Sequence, residues 1–429
     1  MHWRTGVFSA ALVCLLPMVH AQAQNAANNL DALVQSALAN NRELLATRLR
    51  LAEAEGLLRQ AGVRPNPTLE IEGGTGRPLR TTGEEEYSAG YFHPIELGGK
   101  REKRRRVAEV SVDLAKAEFD ERARQLTSEV KLRAIEALVK TEKSRTLERL
   151  ANVNDQAYRL TAARVSEGDL PSLDAKLLLV EKTRNEAQRA ALSGQLESDL
   201  IELKRFIGIG PDDQLTLGDT FPTTIQQPTL EALQNLALRQ RPDFRLSQLL
   251  ENQGHAEVTL ADSQSKPDVT LSARYTHRNS QFDQFGLSAA GARVPLRDSD
   301  NVVTFGASVP LFNGKRNQGN VEAATARVSA AMLRERHLSA TIPLEVAAAY
   351  KRWQTTKKTI SIYDKGIIEQ SAKNLEVIRQ AYELGQLRLL DVLNEQRRLT
   401  EIELFYIDAK ADFARAVIDL ERTIGGTLP

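Results

Sequence analysis

The chain has little of what marks several protein classes. It has one cysteine, Cys14, in 429 residues, and aromatic side chains make up 5% of it. Its 57 basic residues almost cancel its 56 acidic ones, so it lacks the charge excess of a nucleic-acid-binding or polybasic membrane-binding protein. After residue 23, no apolar run reaches the roughly 18 residues of a membrane-spanning helix. Insertion into a membrane would therefore require strands that close into a barrel.

Residues 1–23 have the features of a secretory signal peptide. A basic residue near the start precedes an apolar run over residues 7–19, and Ala21-Gln22-Ala23 fits a small-x-small cleavage site. Cleavage there would remove the single cysteine, and with it any disulfide or thiol chemistry. The alternative is lipid attachment at Cys14, but acylation needs a small residue directly before the cysteine, and Val13 stands there.

The two halves of the chain share a sequence pattern. A shift of 217 residues places Gly168 on Gly385, Asp174 on Asp391 and Ile207-Gly208 on Ile424-Gly425. Such self-similarity predicts two structural repeats, residues 24–208 and 229–425. An equatorial linker over residues 209–228 would join them beside the helical body, and residues 426–429 would form a short tail.

Each repeat reads as helix, strand, strand, very long helix and helix. The first helices are predicted over residues 30–61 and 230–265, and the very long ones, of about 65 residues or 100 Å, end near residues 165 and 382. Pro343 should bend or divide the second long helix. Alternating apolar and polar residues, clearest over 269–276 and 303–309, predict strands. The second repeat has about 16 extra residues between its strands, which we interpret as a longer loop.

Strands with one apolar and one polar face suit a position between lipid and water. Four strands are too few to close a barrel, whereas three copies would supply twelve, enough to surround an aqueous lumen. We therefore predict a mainly α-helical chain with a β-barrel part: a trimeric 12-strand β-barrel continued by a long α-helical barrel.

Three segments carry a resemblance to a known family. Residues 381–385 (AYELG) with 390–396 (LDVLNEQ), and residues 165–174 (VSEGDLPSLD) in the first half, resemble the helix-turn-helix tips of TolC-like outer-membrane efflux proteins. Residues 94–101 (PIELGGKR) are similar to the branch that serves resistance-nodulation-division pumps for heavy metals of the cobalt-zinc-cadmium type. The resemblance covers essentially the whole chain after the signal peptide.

The resemblance implies a passive homotrimeric channel in the cell outer membrane, with a periplasmic helical extension. Its partners would be a periplasmic adaptor (membrane fusion) protein, an inner-membrane proton-driven pump and outer-membrane lipid, but not nucleic acid. Its substrate would be divalent cations such as cobalt, zinc and cadmium, and no cofactor is implied. Multidrug efflux or type I secretion by the same fold is an alternative, as is a soluble periplasmic coiled-coil adaptor. An enzyme is disfavoured because the sequence has no nucleophile elbow, P-loop or CxxC motif.

The resemblance also implies which residues form the functional site. The periplasmic gate would contain Tyr382, Asp391, Asn394, Arg388 and Asp174. The adaptor-docking tips would contain Gly168, Asp169, Leu170, Gly385, Gln386 and Leu387. Two positions depart from the family, because Asn394 replaces a second aspartate and Leu387 replaces an arginine.

Other roles compete with these assignments. Asp391 and Asp174 each follow a glycine-containing turn, so each could instead cap the N-terminus of a helix. The histidines that follow the signal peptide, and Met332, have no ligand spacing with one another, so we predict no specific metal site.

Overall fold

The computed structural model describes residues 30–79, 83–215, 217–218, 221, 228–311 and 317–428. The predicted signal peptide lies outside the described residues, as do parts of the predicted linker (216, 219–220 and 222–227) and the last residue of the tail.

The described chain is mainly α-helical with one sheet, as the sequence predicts. The elements are α1 Leu30–Asn40, α2 Arg42–Ala61, β1 Thr68–Thr75, β2 Glu85–Ile95, α3 Lys100–Ser166, α4 Ser172–Ile207, α5 Leu230–Gln240, α6 Pro242–Gln264, β3 Val269–Leu287, β4 Arg293–Ser308, α7 Gln318–Tyr363, α8 Ile367–Glu383 and α9 Leu389–Ile424. In this part of the chain, none of the helices has the length and apolarity needed to cross a bilayer.

The four strands form one antiparallel sheet in the order β1-β2-β3-β4. Up to Gln281, odd-numbered residues share one face, which is mostly apolar, and even-numbered residues share the other, which is mostly polar. The apolar face is open: Ile71 is 77% exposed and Phe305 is 79% exposed. Phe92, which breaks the sequence pattern, lies on the polar face, where its ring centroid is 5.6 Å from the guanidinium carbon of Arg274.

The prediction that the extra residues of the second half form a longer loop is wrong. These residues lengthen β3 and β4, which stay paired from Thr270↔Ser308 to Leu287↔Arg293, with a register shift between Gln281 and Phe285. Pairing with the neighbouring strand satisfies the backbone groups of a segment whether or not its side chains are apolar. Polar sequence therefore did not exclude a strand.

The predicted first helix of each half is divided. Asn41 separates α1 from α2 and Arg241 separates α5 from α6; both have an extended backbone, with ψ of 116° and 121°. Pro242 forces this conformation on Arg241. Asn41 accepts a hydrogen bond from the Leu44 N–H at 3.0 Å and so caps α2.

The second long helix is also divided, but not where Pro343 led us to expect. Pro343 lies inside α7, and the division falls at residues 364–366, where Gly366 has φ of +98°. A left-handed glycine ends a helix. By contrast, α3 runs unbroken for 67 residues.

The core lies mainly around the middle of the helical body, and α9 contributes to two of its clusters. One buried face of α9 contains Phe413, Val417, Leu420 and Ile424, which pack with Trp353 of α7 and with α5. Another contains Ile407, Ala411, Ala414 and Ile418, which pack on α3. The far end of the helices has a smaller cluster, Leu178, Leu389 and Leu393. The candidate site lies beside this small cluster.

Candidate gate at the hairpin tips

Two helical hairpins end in turns of the same construction, α3–α4 at residues 167–171 and α8–α9 at residues 384–388. Gly168 has φ of +87° and Gly385 has φ of +74°, and a Cβ atom at either would meet nothing within 4 Å. These glycines are thus needed for the left-handed backbone and not for close packing.

The backbone hydrogen bonds of the two turns correspond at a shift of 217 residues. In the first turn, the N–H of Gly168 donates to Val165 O and that of Asp169 to Arg164 O. In the second, the N–H of Gly385 donates to Tyr382 O and that of Gln386 to Ala381 O. The tip residues Gly168, Asp169, Gly385, Gln386 and Leu387 are exposed, and Leu170 is half-buried.

Asp391 lies in the first turn of α9, where it caps the helix. Its Oδ2 accepts the backbone N–H of Arg388 at 3.0 Å, and the Arg388 guanidinium Nε is 3.8 Å from the same oxygen. The Asp391 side chain is still 35% exposed, against 82% for Arg388. The carboxylate therefore acts as a cap and also presents charge to solvent.

Tyr382, near the end of α8, packs on the cluster of Leu178, Leu389 and Leu393. Burial raises the pKa of the Tyr382 phenol, and the negative charge of Asp174 raises it further, whereas Arg164 lowers it. The two hairpins thus meet at Tyr382, with Asp174 from α4 beside it. Asn394 is exposed on α9.

Sequence reasoning missed a polar layer further along the same helices. Arg397 of α9 pairs with the buried carboxylate of Glu181 in α4. The amide of Gln396 donates to Asn154 Oδ1 of α3 at 3.0 Å. These groups line a cavity of about 90 Å³. The spacing of residues in α4 could have indicated this layer. Leu178, Glu181 and Asn185 lie 3 and 4 residues apart and so share one helix face. A charged side chain in the middle of a buried face requires a partner of opposite charge.

No group of three or more histidine, cysteine, aspartate or glutamate side chains is arranged to hold a metal ion in the part of the chain that the structure describes.

Comparison with known proteins identifies the family. The sequence profile of the outer membrane efflux proteins matches residues 33–209 and 233–426. The chain belongs to this family. The resemblance that the tip motifs carry is thereby confirmed, and the protein is an outer-membrane efflux channel of the TolC type, a family of passive channels and not of enzymes.

Relatives with metal cargo are among the similar sequences. The cobalt-zinc-cadmium resistance protein CzcC of Cupriavidus metallidurans is 24% identical over 92% of this chain and 90% of its own length. The cation efflux system protein CusC of Escherichia coli is 24% identical over 93% and 86%.

Solved structures agree in fold. A crystal structure of CusC has a TM-score of 0.73 at 19% identity and covers 95% of this chain and 96% of its own. The Campylobacter jejuni CmeC outer membrane channel has a TM-score of 0.73 at 16% identity, covering 94% and 86%.

Proposed function

We propose that three copies of the chain form a closed channel through the outer membrane. The sheets would join into a 12-strand β-barrel and the helices would continue it as an α-helical barrel in the periplasm. The observation that carries this proposal is the sheet itself: it exposes an apolar face, and β1 and β4 are each paired on one side within the described residues. Open strand edges favour further pairing.

The polar face of the sheet suits a water-filled lumen. Arg274 of β3 reaches across β2 to Glu70 of β1 at 3.1 Å and also pairs with Glu72. It passes over Gly90, where a Cβ atom would lie 3.3 Å from its guanidinium Nε. The charged side chains of β1 and β3 thus lie on the polar face and form ion pairs across β2.

The proposed channel has two internal repeats. The shared turn hydrogen bonds, the positive φ of Gly208 and Gly425 and the order of elements in each half all support this organisation. Residues 209–228 would be the equatorial linker between the repeats.

We infer that the tip is the gate and the adaptor-docking end. Tyr382 beside Asp174 would hold the hairpins together, and Arg388, Asp391 and Asn394 would face the axis of the trimer. Three Asp391 carboxylates around one axis would attract cations. A periplasmic adaptor would meet Gly168, Asp169, Leu170, Gly385, Gln386 and Leu387, and an inner-membrane proton-driven pump would supply the substrate.

Two substitutions distinguish a role of Asp391 in the gate from a role as a helix cap. Asp391→Asn removes the charge but keeps an oxygen for the Arg388 N–H, whereas Asp391→Ala removes both. We expect both variants to lower the ratio of cation to anion conductance in planar bilayers by a similar factor. Unchanged selectivity in Asp391→Asn, with a lower melting temperature only in Asp391→Ala, would contradict the gate and leave the cap.

We propose divalent heavy-metal cations such as cobalt, zinc and cadmium as the substrate, because CzcC and CusC are similar over nearly the whole chain. Deletion of the gene should sensitise cells to these metals more than to hydrophobic antibiotics, and expression of the intact gene should restore resistance. The reverse pattern would contradict the metal substrate without contradicting the channel.

One observation favours a second substrate class. The pyoverdine export outer membrane protein OpmQ of Pseudomonas aeruginosa is 23% identical over 93% of this chain and 85% of its own length. Export of an organic compound by the same channel is therefore the second candidate. Membership of the channel family favours both candidates over the soluble periplasmic adaptor.

A further inference from the structure

Beyond the end of β1 and β2, strands β3 and β4 continue as a two-stranded ribbon. The last residue pair between β2 and β3 is Glu85↔Asn279, and the pairs between β3 and β4 continue to Leu287↔Arg293. We call residues 281–297 the outer ribbon. A two-stranded ribbon alone is marginally stable in water. This one also exposes Phe285 and Leu287, at 65% and 77%, so contact with a further surface would stabilise it.

One face of β4 changes character along its length. Its odd-numbered residues share the face of Tyr275 and His277, because the Tyr275 hydroxyl and His277 Nδ1 both lie within hydrogen-bonding distance of Asn301 Oδ1, at 2.6 and 2.8 Å. Away from the helices, this face runs from apolar to uncharged polar to basic residues: Ala307, Phe305, Val303, Asn301, Ser299, Arg297, Pro295 and Arg293. Arg297 lies four residues beyond Asn301, roughly 13 Å along the strand.

The charges of β4 are separated between its two faces. Asp298 and Asp300 lie on the face opposite Arg293 and Arg297, since successive side chains of a strand alternate. Among the described residues neither arginine forms an ion pair, and both are exposed.

Of two other carboxylates near the outer ribbon, one is already paired and one is not. Glu85, the acidic residue on the same face of β2, is paired with Arg77 at 2.7 Å. Asp283 lies in the segment where the register shifts and is also without an ion pair in the described chain. The face therefore has two arginines available for an external anion.

We infer that the face of this ribbon that carries Arg293 and Arg297 binds the phosphorylated sugar headgroup of the glycolipid in the outer leaflet. The inference rests on the proposed function, in which the apolar sheet face meets lipid and the helices lie in the periplasm. The outer ribbon then projects beyond the hydrocarbon on the exterior side. Guanidinium groups bind phosphate oxygens through paired hydrogen bonds, and Phe285, paired with Pro295 between the two arginines, offers a ring for contact with sugar.

The test compares three forms of the purified full-length protein in detergent. They are the wild type, the double variant Arg293→Glu/Arg297→Glu and the control Lys358→Glu/Lys365→Glu. The control makes the same change in net charge at exposed positions of the helical body. Trimer formation and bilayer conductance are measured first for all three, and binding of lipid A is then measured by native mass spectrometry. Lipid A stripped of phosphate and phosphatidylglycerol are the comparison probes.

We expect the double variant to bind lipid A about tenfold more weakly than the wild type, with the control unchanged. Removal of the phosphates should weaken wild-type binding to a similar extent and should not weaken the double variant further. Equal binding of lipid A by a conducting trimer of the double variant would overturn the inference alone, as would equal wild-type affinity for phosphatidylglycerol. A wild type that neither trimerises nor conducts would overturn the proposed function, and this inference with it.

Discussion

The two halves of the molecule form the same helix joint with different chemistry. At the first joint, between α1 and α2, the amide of Asn41 donates to Phe206 O at 2.9 Å. At the second, between α5 and α6, the guanidinium of Arg241 reaches Thr423 O at 3.4 Å, the position that corresponds to Phe206 at a shift of 217. A left-handed glycine, Gly208 or Gly425, ends the helix that packs on each joint.

The second joint needs partners that the first does not. Arg241 is 6% exposed and pairs with Asp243 at 2.6 Å and Glu345 at 2.5 Å. Burial alone would lower the pKa of Arg241, but its bonds to Asp243 and Glu345 outweigh burial and raise the pKa. The neutral amide of Asn41 thus completes the first joint with two hydrogen bonds. The buried guanidinium of Arg241 also requires two carboxylates at the second joint.

The largest difference between the joints should follow from removing their polar side chains. Arg241→Leu leaves Asp243 and Glu345 without their cation, and removal of one partner from a buried pair costs about 3 to 5 kcal/mol. Since the carboxylates are partly exposed, we expect the lower end of that range. Asn41→Ala should cost about 1 kcal/mol through the lost cap. Melting temperatures of the purified proteins check the order, and a greater loss for Asn41→Ala would contradict it.

Alanine at the two glycines should sharpen the comparison. Both have φ of +83°, so alanine costs roughly 1 to 2 kcal/mol from backbone strain at either. A Cβ atom at Gly208 would lie 2.5 Å from Asn40 O, whereas one at Gly425 would lie 3.0 Å from the nearest atoms of Arg241. Gly208→Ala should therefore lower the melting temperature more. Gly385→Ala, with a positive φ and open space, measures the backbone cost alone; an effect at Gly208 no larger than this would disprove the close approach.

The smallest expected effect is a dependence on pH that only the second joint has. Burial would raise the pKa of Asp243, but the hydrogen bond from Arg241 outweighs burial and lowers it. A lowered pKa in the folded state stabilises the protein above the unfolded pKa of about 3.9, and this contribution is lost as the pH falls through the folded value. The gap in melting temperature between the wild type and Asp243→Asn should therefore shrink below about pH 4. A gap that stays constant down to pH 2 would contradict the shift, and Asn41→Ala should show no such dependence.

The sequence predicts the elements of this fold better than their divisions. The presence of four strands, the length of α3 and both hairpin turns follow from periodicity and glycine position, whereas the extra length of β3 and β4 does not. The sequence did not indicate a division at Asn41, because the capping role of this residue depends on the backbone conformation that it adopts. Pro242 did carry a signal, since a residue before proline avoids the helical conformation. The division at Gly366 was missed because proline is ordinarily the stronger helix breaker. Pro343 removes only the one backbone hydrogen bond that its missing N–H would make to Ser339 O, and α7 continues through it.

The candidate site was predictable in its position but not in its contacts. The motifs located Tyr382, Asp391 and the two glycines at the tips. The sequence did not show that Asp391 accepts a 3.0 Å bond from the Arg388 N–H, nor that Glu181 pairs with Arg397, 216 residues away in the sequence. Such long-range pairs depend on how the hairpins pack together.

The irregular segment of β3 bears on how this protein family can change in length. Between Gln281 and Phe285, four residues of β3 advance while two of β4 do, so β3 has gained two residues there and Phe285 returns to the face of Gln281. In a strand without a bulge, an insertion of one residue turns every later side chain to the opposite face. Insertions of two residues can therefore lengthen this hairpin without exchanging its two faces, whereas an insertion of one residue has to be absorbed by a bulge.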